Sequence, residues 1–73
     1  HMYHMKYILV YDIPFNLNYF KLQLNRRLKR IGAKLIQKSV WQHTDLNELM
    51  RLAILIKNVG GKARIMEEKL IFE

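Results

Sequence analysis

The stretch Lys6-Tyr-Ile-Leu-Val-Tyr11 is rich in aromatic and β-branched residues and runs into Asp12-Ile13-Pro14. Such side chains suit a pleated, buried surface, and proline cannot donate to a ladder, so the pattern predicts a buried strand that stops at the proline. From Leu17 the apolar positions recur as Leu17, Phe20, Leu24, Leu28 and Ile31. Steps of three and four keep them on one side of an α-helix. Asn16 or Asn18 is expected to cap its start, and Gly32 to end it. After Gly32, Leu35 to Trp41 is strand-like, with a polar centre at Gln37-Lys38-Ser39 that predicts a bend or an interrupted hairpin.

Asp45-Leu-Asn-Glu48 matches a capping box, and Leu46, Leu49, Met50, Ala53 and Ile56 follow at helical spacing up to Gly60-Gly61. Leu52, Ile54 and Leu55 point in other directions. A helix so broadly apolar is expected to pack on two sides or to be partly strand. Lys62 to Met66 alternates like a strand, Glu67-Glu68-Lys69 is polar, and Leu70-Ile71-Phe72 is a last short apolar segment. Strand, helix, two short strands, helix, strand is the order of the ferredoxin-like β-α-β-β-α-β plan, an α+β sandwich with an antiparallel sheet and both helices on one face. The expected domain spans residues 3–73, and His1-Met2 has the character of an expression scar.

At 73 residues the length is that of one small domain with a thin core, which excludes a two-domain enzyme. The absence of cysteine excludes a disulfide framework and a thiolate metal site. With no apolar run long enough for a bilayer and no signal-peptide plan, a soluble, cytoplasmic protein without membrane contact is expected. The formal net charge is +7. Residues 1–44 carry all of that excess, eight Lys and Arg against Asp12 alone, while residues 45–73 balance five against five. Such an excess favours a polyanion, and nucleic acid becomes the leading partner class.

On the first helix, at about 100° per residue, Tyr19, Gln23, Arg26, Lys29 and Arg30 lie opposite the apolar stripe, with Arg27 on its flank. Arg26, Arg27, Lys29 and Arg30, together with Lys38, are therefore the candidate nucleic-acid contacts. Asp12 is a candidate for chemistry because it ends an apolar strand just before a proline. A carboxylate there can take a hard divalent cation, and two-fold symmetry would add a second copy of it; the alternative is an Asp that caps a turn. Ser39 has no base near it in sequence, so a strand hydroxyl bonded to backbone is the plainer expectation. His43 is an acid or base only in principle. Trp41 is expected in the core or at a dimer interface, and Tyr7 and Tyr11 share one strand face, packed under a helix or at such an interface. No Walker loop, G-x-G-x-x-G or H-E-x-x-H occurs.

The series Tyr11-Asp12-Ile13-Pro14, then a basic helix closing at Gly32, then Gln37-Lys38-Ser39-Val40-Trp41, resembles the smaller of the two core CRISPR adaptation proteins. That family consists of compact ferredoxin-like homodimers described as metal-dependent endonucleases, and the likeness covers most of residues 5–66. It implies CRISPR-associated antiviral defence and spacer acquisition. Asp12 would be the catalytic and metal-binding acid, paired across the dimer axis and holding Mg²⁺, or Mn²⁺, against a phosphodiester. Ser39 and Trp41 would lie near the dimer interface, and Leu70 and Phe72 in an edge strand added to the partner's sheet. Partners would be duplex DNA or single-stranded RNA and a larger integrase-like protein that the dimer bridges. Phe15-Asn16-Leu17-Asn18 stands where the family has an acidic, arginine-bearing stretch, and the C-terminal part is shorter. Virulence-associated D-type toxins and modules of phenylacetate-pathway repressors share the fold, so a toxin-like ribonuclease and a non-catalytic DNA scaffold are the alternatives.

Overall fold

The computed structural model describes residues 5–72, so the expected scar at residues 1–2 lies outside them. The elements follow in the order β1 (Tyr7–Asp12), α1 (Asn18–Arg30), β2 (Lys34–Gln37), β3 (Val40–His43), α2 (Leu46–Asn58) and β4 (Lys62–Glu67). They form one four-stranded sheet in the order β2-β3-β1-β4, with every neighbouring pair antiparallel. This is the ferredoxin-like β-α-β-β-α-β topology.

β1 is central because both its edges are paired, Leu9 lying opposite Trp41 on β3 and Ile65 on β4. Side chains alternate across a strand, so Tyr7, Leu9 and Tyr11 share one face with Trp41, Ala63 and Ile65. On that face the core closes with Leu24 and Leu28 from α1 and Leu49, Leu52 and Ile56 from α2. Ile13, just past β1, is buried among them. The two tyrosines thus pack beneath the helices. Among the described residues no helix covers the other face, which carries Ile8, Val10 and Asp12 beside Val40, Arg64, Met66 and Lys62.

The start of α1 differs from both asparagine expectations. Leu17 is the capping residue and no side chain bonds to the first turn. The Pro14 carbonyl instead accepts from the Leu17 amide at 3.0 Å, closing a turn through Phe15 and Asn16 that leads straight into the helix. Leu17 also packs against the core, so burial holds the end that a polar cap would otherwise hold. At the far end, Gly32 has φ +90° and its amide donates to Lys29, while the Ala33 amide donates to Leu28 at 2.9 Å. This paired closure satisfies two orphan carbonyls and needs a residue free of Cβ strain.

The polar centre of the second strand-like segment is a turn at Lys38 and Ser39, with a bulge between Leu35 and Gln37. Ser39 is therefore a turn residue, with φ +64°, rather than a strand residue. Asp45 caps α2, its Oδ1 accepting from the Glu48 amide at 3.2 Å. Helix α2 is continuous and packs on one side only. Met50, Ile54 and Leu55 are left outside, Ile54 at 55% exposure, so the surplus of apolar residues is a surface feature.

At Gly61, between α2 and β4, the chain passes close to the end of β1. A Cβ there would lie 2.8 Å from Ile56 Cγ2 and 2.9 Å from the Asp12 carbonyl oxygen. Backbone cannot swing aside as a side-chain tip can, so Gly61→Ala is expected to destabilise the domain by about 1–3 kcal/mol. Urea unfolding followed by circular dichroism measures this; an unchanged midpoint would mean that the α2–β4 junction does not pack against β1 as described. Leu70–Phe72, expected as an edge strand, form no strand in the single chain, and Phe72 is 89% exposed. Beyond Glu68, whose amide donates to the Lys6 carbonyl at 2.8 Å, the described residues offer these amides no strand to join.

Candidate functional site

Asp12 is the last residue of β1, exposed, and on the helix-free face of the sheet. Its strand partner in register is Lys62, and with Val10 and Arg64 these two line a shallow depression of about 210 Å³. Among the described residues the one ion pair joins Arg51 to Glu48 on α2 at 3.6 Å, so the Asp12 carboxylate has no salt-bridge partner. Lys62 and Arg64 are the site residues that strand alternation alone does not reveal. Alternation puts both on one face of β4, but only the pairing with β1 sets that face beside Asp12.

Arg26, Arg27, Lys29 and Arg30 are all exposed, the last three in the final turn of α1. Their charge complements the negative end of the helix dipole, so the same residues that offer a cationic surface also stabilise the helix. They are not brought to Asp12. α1 packs its Leu24 and Leu28 on the face of the sheet opposite to Asp12, and these cations lie on the side of α1 turned away from that face. One protomer therefore presents two separate charged regions. The cations beside Asp12 are Lys62 and Arg64, whereas Arg26, Arg27, Lys29 and Arg30 mark the other layer.

Trp41 is 2% exposed and its side chain is part of the core rather than of a surface. Its Nε1 donates to the Tyr11 hydroxyl at 3.3 Å, and that hydroxyl donates to Asn25 Oδ1 at 2.9 Å. The chain of bonds satisfies both buried polar groups and joins three elements. Ser39 is half-buried in its turn; its carbonyl accepts from the Tyr11 amide at 3.2 Å, and its hydroxyl makes no backbone bond among those described. Lys38 is exposed beside it. His43 ends β3 and is half-buried, with no hydrogen-bonded carboxylate or hydroxyl to make it an acid–base pair among the described residues. Leu70 and Phe72 are exposed on the segment after β4.

A metal can be tested against this donor set. Among the described residues no group of three or more His, Cys, Asp or Glu side chains converges. Mg²⁺ is typically held by one or two carboxylates and retained waters, so a lone Asp12 facing Lys62 is a poor site, while two copies of Asp12 from two chains meet the minimum. None of the described helices is long and apolar enough to cross a membrane.

Fold and surface together define a small ferredoxin-like α+β domain with one bare sheet face, a lone strand-end carboxylate on that face, and a cationic helix on the other layer. Compared with known proteins, the chain matches no family model and no curated sequence.

Proposed function

We propose that this chain acts as a cytoplasmic homodimer of the CRISPR adaptation type, a metal-dependent endonuclease that also bridges copies of a larger integrase-like protein during spacer acquisition. The observation that carries the reading is the position of Asp12 on the face without helices. Val10 and Ile8 make that face apolar next to the carboxylate, so a second copy laid on it would bury them and bring two Asp12 side chains towards one axis. The exposed Leu70–Phe72 segment supports the same arrangement, since an apolar extended tail gains ladder bonds by adding to a partner's sheet edge.

Two Asp12 carboxylates would hold Mg²⁺ or Mn²⁺, which when bound supplies Lewis-acid stabilisation of a phosphodiester and a nucleophilic water. Lys62 and Arg64 would orient the phosphate beside it. The decisive experiment incubates labelled duplex DNA and single-stranded RNA with wild type and Asp12→Asn, each with Mg²⁺ or EDTA. Wild type is expected to cut with Mg²⁺ only, and Asp12→Asn to cut roughly 10³-fold more slowly while still eluting as a dimer, because several kcal/mol of metal stabilisation is lost. Equal cutting by the variant would end this assignment, and cutting confined to RNA would turn it towards a toxin-like ribonuclease.

A second reading, a DNA-binding scaffold with no chemistry of its own, is favoured by one observation. Among the described residues no three metal-binding side chains converge, whereas Arg26, Arg27, Lys29 and Arg30 make a broad cationic surface. Salt-sensitive binding of duplex DNA without cleavage in any metal would select it.

A further inference from the structure

The geometry points to a second binding site, in the cleft between α1 and the β2–β3 turn, that takes a phosphomonoester carried on a flat or apolar body, as in a mononucleotide. The cleft measures about 340 Å³, at the small-molecule end of the range for ligand pockets. It opens on the helix side of the sheet and is separate from Asp12, so it stands independently of any cleavage there.

Three lysines line it. Lys21 and Lys29 lie two turns apart on α1 with Asn25 between them, at i, i+4 and i+8 on one stripe, and Lys38 enters from the turn. Among the described residues none of the three has a carboxylate partner and none of the residues lining the cleft is a carboxylate. Three lysines with no acid beside them favour a dianion over a diester's single charge.

Asn25 adds direction. Its Oδ1 is already occupied by the Tyr11 hydroxyl at 2.9 Å, which fixes the amide so that Nδ2 is the end left to donate. The Tyr11 hydroxyl is in turn held by Trp41 Nε1, so the Asn25 amide is positioned by two buried aromatic residues. The remaining walls are apolar. Leu35 is 52% exposed on edge strand β2, facing the cleft on the same side of the sheet as Trp41. A leucine left bare between lysines is a surface for a base or ribose to cover. Ser39 closes the cleft in a left-handed conformation that an ordinary residue adopts at a cost, and such strain accumulates at ligand clamps.

Trp41 is the single tryptophan of the chain and, although buried in the core, borders the floor of the cleft, so its emission serves as the reporter of occupancy. The experiment titrates wild type and the Lys21→Ala/Lys38→Ala double variant with AMP, adenosine, inorganic phosphate, and a short single-stranded oligonucleotide with or without a 5′-phosphate. In parallel, the side-chain amide resonance of Asn25 is followed by NMR on wild type, which needs no variant to fold. AMP is expected to change Trp41 emission saturably and to shift the Asn25 amide, phosphate to compete, adenosine to bind more weakly, and the double variant to lose about tenfold in affinity. Tighter binding of the 5′-phosphorylated strand than of AMP would identify a strand end as the source, and tighter AMP a free nucleotide. Equal response to AMP and adenosine, or an Asn25 amide that stays still while AMP binds, would overturn the site. So would a double variant that binds as wild type does.

Discussion

Trp41→Ala is expected to leave the domain largely unfolded at room temperature. Trp41 spans the contact between the sheet and α1, is 2% exposed, and lies opposite Leu9 on the central strand and Leu35 on the edge strand. Truncating a buried tryptophan costs about 3–5 kcal/mol, while a domain of this size rarely holds more than about 3–5 kcal/mol in total. The two magnitudes are equal, so little folded protein is left. Loss of the hydrogen bond from Nε1 to Tyr11 is the smaller part, because the Tyr11 hydroxyl still donates to Asn25 and a neutral bond contributes only about 1 kcal/mol net. Trp41→Phe separates the two contributions: it keeps most of the packing, removes the donor, and is expected to cost about 1–2 kcal/mol. Far-ultraviolet circular dichroism and urea titration measure both. If Trp41→Ala unfolds at the wild-type midpoint, the aromatic ring does not hold the core together.

Arg26→Gln with Arg30→Gln should weaken nucleic-acid binding by about ten- to a hundredfold at low salt and flatten the dependence of log K on log salt by about 2 units of slope. Both residues lie one turn apart on the exposed side of α1, and no carboxylate pairs with them among the described residues. Each released phosphate contact removes about 0.9 of slope, so two removed contacts give the figure directly. Glutamine keeps helix propensity and volume, and exposed substitutions change stability by only about 0.5 kcal/mol, so the variant remains folded. Fluorescence anisotropy with labelled duplex DNA across a salt series is the measurement. An unchanged slope would move the nucleic-acid contact off α1, to the bare sheet face with Lys62 and Arg64. Lys29 is left in place in this variant because it also lines the cleft with Lys21 and Lys38. Binding of duplex and binding of a mononucleotide are thereby tested by different side chains.

Several features could be read locally because their causes are local. Leu24 and Leu28 are buried on α1 as their spacing requires, and Asp45 caps α2 by accepting from the Glu48 amide, the first half of the capping box, while the Glu48 side chain turns to Arg51 instead. Gly32 ends the first helix, and the hairpin breaks at Lys38-Ser39 where the polar residues interrupt the apolar run. Each depends on dihedral preference or on periodicity within a few residues. The start of α1 was not legible in this way, since the Pro14 carbonyl and the buried Leu17 do what a polar cap would do. Nor was the buried side of α2: Met50 has the spacing of the apolar stripe yet is 46% exposed, while Leu52, off that stripe, is buried, because the sheet meets a side of the helix that local spacing does not single out.

By itself the sequence determined the order of elements, the ferredoxin-like topology, and the separation of a basic first half from a neutral second half. Periodicity, capping and charge are properties of the chain before it folds. The tertiary structure decided which charged groups meet. Period-two alternation says that Asp12, Lys62 and Arg64 each occupy one side of a strand, but the register between β1 and β4 makes it the same side. The closing of α1 over the β2–β3 hairpin likewise joins Tyr11, Asn25 and Trp41 across long stretches of chain and sets Lys21 and Lys29 beside Lys38. It also puts the helix-1 cations and Asp12 on opposite layers. Those relations follow from how one apolar face is buried against another, and that burial is a collective choice no short segment can make.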